Sequence, residues 1–232
     1  GLVHPGVGHH EAQPVLDATL PAPTLTPAEP DILNSPAIIQ ASGPFAQASV
    51  LPFHAPDFAA LSDEQYQPII EQAIAVQHSE IAAIAANPEP PTFANTLVAL
   101  ERSGQMLDRA NYAFSQKVSA NINPVLAAAD EALAPQLAAL TDAIYMDPLL
   151  FARVRAVHEN RAALGLCGED AMLLDTTWAE FLHRGALLDS TQQAELRQIN
   201  ERLSSLSAQV SQAITQGQNA AAVTVESRAE LS

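Results

Sequence analysis

The first hundred residues contain neither Lys nor Arg: the first basic side chain is Arg102, and eleven Asp and Glu precede it. With 10 basic against 26 acidic residues, the chain carries a formal charge of −16. That balance excludes nucleic acid and anionic membrane surfaces as partners, because both repel an acidic surface. Cysteine is limited to Cys167, so no disulfide forms within the chain and the redox compartment stays open. No apolar run approaches the roughly 20 residues that a bilayer-spanning helix needs, so no membrane span is expected. What is present is an apolar fraction of 48% over 232 residues, enough for a sizeable core in one large or two small domains.

The chain opens at Gly1, without Met and without the basic segment of a secretory signal, so such a signal is expected to have been removed or never to have existed. Residues 1–44 hold eight of the seventeen prolines and show neither strand nor helix periodicity. Residues 1–48 are therefore expected to form a Pro-rich flexible leader, with His4, His9 and His10 in a loose tail and not in a metal site. Residues 49–220 are expected to be a helical domain, and residues 221–232 the start of a strand.

The fold class expected is all-α, an antiparallel bundle of about six helices followed by a short terminal strand. Ser62 and Gln65 form a capping box for a first helix that Asn87 and Pro88 stop. Thr92 caps a second, whose stripe of Phe93, Leu97, Leu100, Leu107, Phe114 and Val118 predicts one continuous helix with Gly104 on its seam. Gly104 there would let a neighbouring helix approach closely. Asn123–Pro124 and Asp147–Pro148 open a third and a fourth, Pro135 is expected to kink the third, and Gly165 to close the fourth. A fifth covers about 168–184. The sixth, capped by Ser190 with Gln193, carries Leu196, Ile199, Leu203, Leu206, Val210 and Ala213 in heptad-like spacing up to Gly217. Val223 and Val225 then alternate as a strand would.

Motifs that carry chemistry are scarce. "HENRA", His158–Ala162, resembles half of the HExxH that places two imidazoles on one helix face with a Glu as general base, but Ala162 stands where the second His is needed. His158 is therefore expected to be a partly buried or an exposed histidine, not a ligand. His54, His78 and His183 are scattered singly, and Cys167 precedes Gly168 in an interhelical turn. The acid pairs Asp63–Glu64, Asp130–Glu131 and Glu169–Asp170 read as helix starts, where negative charge meets the positive end of the helix dipole. Trp178 and Phe181 read as core. No catalytic, cofactor-binding or metal-ligating residue is assigned in this chain.

The stretch from "LPFHAPDF" to "TLVALERSGQMLDRA" is worded more specifically than generic helix. Together with "QYQP" at 65–68, "EIAAIAANPEPPTFANTLVALERSG" at 80–104, "DAIYMDPLLFARV" at 142–154 and "LRQINERLSSLSAQVSQ" at 196–212, it resembles the opening of bacterial peptidyl-dipeptidases. These are dipeptidyl carboxypeptidases within the thimet-oligopeptidase-like family of zinc metallopeptidases. Ala94 replaces the Glu of the family's "FENT", and Gln65 the His common before Tyr66.

The resemblance implies a two-lobed helical ellipsoid with a narrow channel, of which this chain is roughly the first third and forms one wall. It implies a zinc ion in the full-length parent, which polarises the scissile carbonyl and activates water, and none in this part. The HExxH helix, the further zinc ligand and the groups that steady the intermediate lie downstream in the family and have no counterpart here. The partners implied are short peptides cut two residues from their C-terminus, and the remainder of the same polypeptide. The compartment implied is bacterial, periplasmic or cytoplasmic, with the periplasm favoured. As an isolated piece the chain is expected to be inactive and to expose apolar surface where the rest docks. The competing expectation is a self-standing helical bundle acting as scaffold or interaction module.

Overall fold

The computed structural model describes residues 38–221, and every regular element among them is helical. Local chemistry sets most of the helix starts. The Ser62 N–H donates to Gln65 Oε1 at 2.9 Å, and a 3-10 turn leads into α1, Tyr66–Ala85. Thr92 and Asn95 exchange a reciprocal pair of bonds, 2.8 and 3.1 Å, at the head of a π-helical segment, Phe93–Val98, which runs into α2, Ala99–Arg102. After α3, Gln105–Asn121, the Asn123 Oδ1 accepts from the Val125 and Leu126 N–H groups, both at 3.0 Å, and opens α4, Pro124–Tyr145. Asp147 repeats the device at 2.7 and 2.9 Å for α5, Pro148–Glu159. In both, Pro occupies the first helical position, where its missing N–H costs no bond. The short α6, Arg161–Leu164, the helix α7, Gly168–His183, and the long α8, Ser190–Ala221, complete the order.

Several boundaries differ from the sequence expectation. The stripe from Phe93 to Val118 does not belong to one helix, because the chain breaks between α2 and α3 at Ser103–Gly104. Gly104 has φ +76, a left-handed conformation that glycine adopts without strain. Its N–H donates to Glu80 Oε2 of α1 at 2.8 Å, and a Cβ there would lie 2.4 Å from the Gln77 side chain. The close approach to a neighbour is present, but as a corner and not as a helix seam. The fourth expected helix ends at Glu159, five residues short of Leu164, and the last turn is the separate α6. Asp130–Glu131 sits inside α4, not at a helix start. The cap of α8 is Asp189, whose Oδ1 accepts from Thr191 and Gln192, while Gln192 Oε1 accepts in return from the Asp189 N–H. The box lies one residue earlier than Ser190 with Gln193, and α8 runs on through Gly217 to Ala221. The expected strand at 223–225 lies outside the described residues.

The main core gathers Ile70 and Val76 of α1, Leu107 and Phe114 of α3, Leu126 and Leu133 of α4, Leu150 and Val154 of α5 and Phe181 of α7, all nearly or wholly buried. Each such side chain contributes roughly 1.5–3 kcal/mol by leaving water. A smaller cluster joins Leu97, Val157 and Leu174. One sequence stripe is thus shared between two clusters, Phe93 and Leu97 in the smaller and Leu100 and Leu107 in the main one. Residues ahead of α1 are tied to the bundle. The Ile39 N–H donates to Ser79 Oγ at 2.9 Å, and the Arg109 guanidinium donates to the Phe45 and Ala46 carbonyls at 2.8 and 2.9 Å.

Candidate functional site

His158 lies half-buried on α5 with its ring stacked on Trp178 of α7, centroids 4.3 Å apart and planes 10° from parallel. Trp178 stacks in turn on Phe151 at 5.5 Å, and Phe151 on Phe181 at 5.8 Å. The histidine thus ends an aromatic column that joins α5 to α7. Glu159, its neighbour, is exposed and accepts from Arg155 Nε at 2.9 Å. Ala162 falls beyond the break at Asn160, on α6, so the "HENRA" residues do not even share one helix. Among the described residues no group of three or more His, Cys, Asp and Glu side chains is placed to hold a metal ion. The described residues therefore do not fit a zinc site. Cys167 is exposed at the start of α7.

The acid pairs are structural where the structure shows their bonds. Asp63 accepts from Lys117 Nζ and, at 2.7 Å, from Asn123 Nδ2, which links the entry to α1 with α3 and the cap of α4. The Lys117 bond, then the Asn123 bond, hold its carboxyl below the usual carboxylate range. Asp130 faces α8, where burial pushes its carboxyl up and the Gln212 amide at 3.4 Å partly offsets this.

The phrases that carry the family resemblance meet in space at one buried cation. Arg153, from "LLFARV", is buried and donates through Nη1 to the carbonyls of Asn87 and Glu89, at 2.7 and 3.0 Å, and through Nη2 to Asn95 Oδ1 at 3.0 Å. Asn95, from "PPTFANT", also accepts from the Thr92 N–H and the Thr96 hydroxyl and donates to the Pro90 carbonyl. Arg153 and Asn95 therefore fix the loop from Asn87 to Thr92, which no regular hydrogen-bond ladder holds. Burial lowers the Arg153 pKa from its usual value, and Nε has no partner. Arg153 is not singled out in the sequence; the signal that could have found it is an Arg among the apolar positions Leu150, Val154 and Val157.

Two surfaces remain. Residues 44–61 and α3 enclose a cleft of about 650 Å³, floored by Leu61 and flanked by Arg109 and Tyr112. Phe45, Phe53 and His54 around it all have positive φ, +67, +60 and +56, rare for bulky side chains. The second surface is α8. Its Asn200 donates to Asp142 Oδ1 of α4 at 2.7 Å, Ser204 to the Ala134 carbonyl at 2.8 Å, and Gln212 to the Ala127 carbonyl at 2.8 Å. The polar side of α8 is the side that meets the bundle. The apolar stripe points away from it: Ile199, Leu203 and Val210 are 61%, 60% and 56% exposed, with Leu206 and Ile214 beside them.

An all-α bundle whose Asn87–Thr92 loop is fixed by a buried Arg–Asn lock defines a helical framework. No family model matches the chain. The particular kinship comes from whole proteins. The dipeptidyl carboxypeptidase of Escherichia coli (strain K12) is 35% identical over 188 residues, 81% of this chain and 28% of its own length. That of Salmonella typhimurium is 36% identical over 185 residues, 80% of this chain and 27% of its own length. Over some four fifths of its residues, then, this chain is similar to the dipeptidyl carboxypeptidases of these two bacteria. It spans little more than a quarter of the length of these relatives.

Proposed function

We propose that these residues are a helical part of a dipeptidyl carboxypeptidase, forming one wall of a channel that admits short peptides. The identity of 35–36% over about four fifths of the chain carries this reading. The wall supports catalysis by exclusion: it keeps folded proteins from the reacting centre while an extended peptide threads through. Because the described residues do not fit zinc, the metal and the groups that act with it would belong to polypeptide outside this chain, and no chemical step is assigned to any residue here. The expected compartment is bacterial, with the periplasm favoured. The outward stripe of α8 also suits the second reading, a helical interaction module without an enzymatic parent.

The test is activity in two preparations. A polypeptide that continues past Ser232 to the length of the relatives is expected to release C-terminal dipeptides from short peptides and to lose that activity to a chelator. Residues 1–232 alone are expected to release none. Dipeptide release by the 232-residue chain, or a longer polypeptide that releases none, would overturn the proposal.

A further inference from the structure

The face of α8 turned to solvent is the one its sequence makes apolar. Ile199, Leu203, Leu206, Val210 and Ile214 follow one another at steps of four, three, four and four residues, the spacing of a single helical stripe, and all five are exposed. The side packed on α4 carries Asn200, Ser204 and Gln212, whose bonds to α4 any aqueous surface could equally supply. A helix that spends its polar side on the bundle and shows its apolar side to water is oriented for a second neighbour. The stripe runs over sixteen residues, Ile199 to Ile214, about 22 Å at the helical rise. Around Ile199, Leu203 and Leu206 it forms a groove of about 540 Å³ rimmed by Glu195 and Arg202.

We propose that this seam is the docking face for an amphipathic helix carried by the same polypeptide outside residues 1–232. The inference rests on the peptidase reading above. Three observations choose this occupant. The seam repeats at helical spacing, which an apolar helix face matches row by row, whereas an extended peptide offers side chains alternately to opposite sides. The relatives reach well beyond the matched region, which is 28% and 27% of their length, so a longer chain has ample polypeptide to supply the helix. A second copy of this chain is disfavoured, because two bodies of charge −16 repel.

A photoreactive benzophenone side chain in place of Leu203, in the full-length polypeptide, reads out the neighbour directly. The expected adducts fall on apolar residues three and four apart in a segment beyond Ser232, and the same probe in place of Arg155 yields none of them. Mixing isotopically light and heavy protein separates adducts within one molecule from those between two. Adducts to another copy, to residues 1–232, or none above the Arg155 control would overturn the docking face. The double variant Leu203→Glu, Leu206→Glu gives a second measurement. In residues 1–232 alone it is expected to leave helicity and Tm unchanged, and in the full-length polypeptide to lower Tm by several degrees. A loss of Tm in the short chain, or none in the long one, would count against the proposal. A full-length protein that releases dipeptides yet shows no such adduct sinks the seam alone; a reading frame that closes at Ser232 sinks both readings.

Discussion

The region around α5 and α7 and the region around α8 use the same sequence device with opposite outcomes. On α5 the stripe of Leu150, Val154 and Val157 is buried and meets Leu174 and Phe181 of α7 within the bundle. On α8 the stripe of Ile199, Leu203, Leu206 and Val210 is as regular, yet it faces water, and Ala208 is the one buried residue among its described side chains. Periodicity states that a helix has an apolar side; it does not state what covers that side. The difference lies in the partner available within these residues.

The comparison can be broken or sharpened by substitution. Phe181→Ala removes a fully buried ring that lies 5.0 Å from Tyr145 and 5.8 Å from Phe151, and should cost about 3–5 kcal/mol in urea unfolding of the 232-residue chain. Arg153→Met keeps much of the aliphatic volume but leaves the Asn87 and Glu89 carbonyls without their donor and takes one of three donors from Asn95 Oδ1. The expected loss is about 2–3 kcal/mol, with faster amide exchange concentrated in residues 87–96.

Asp130→Asn acts between α4 and α8 and has a sign set by pH. The folded carboxyl titrates above its unfolded value because it is buried, so its charged form opposes folding once the pH exceeds both values. The variant should therefore be slightly more stable than the parent at pH 7. That gain should fade as pH falls through the folded pKa and vanish below the ordinary carboxylate value of about 3.9. A stabilisation that grows on acidification would show the sign to be wrong. Leu203→Ala, the counterpart of Phe181→Ala on the exposed stripe, should change stability of the short chain by no more than about 0.5 kcal/mol.

Much of the fold is legible because its signals are local. Asn123–Pro124 and Asp147–Pro148 carry their caps within three residues, and both open helices as read. Where two caps compete, locality is not enough: Asp189 with Gln192 prevails over Ser190 with Gln193, since a carboxylate accepts two N–H bonds and complements the helix dipole as well. Gly104 shows the other limit. Its place in a clean apolar stripe argues for an unbroken helix, while its positive φ and its bond to Glu80, twenty-four residues away, are set by α1. The Arg153 lock is less legible still, because its three acceptors lie fifty-eight to sixty-six residues distant. Asn95 and Arg153 take no role from the sequence alone, although both lie in phrases that carry the family resemblance.

The reversed polarity of α8 also governs how the molecule breathes. Its bonds to α4 are polar, each worth about 1 kcal/mol net because water competes for the same groups, and it brings no aromatic ring into the core. Because water competes for those bonds, α8 is expected to open at a lower free energy than the main core unfolds. The turn at Gly185, with φ +93, then acts as a hinge, and a protease should nick the chain there before it reaches any helix of the main core.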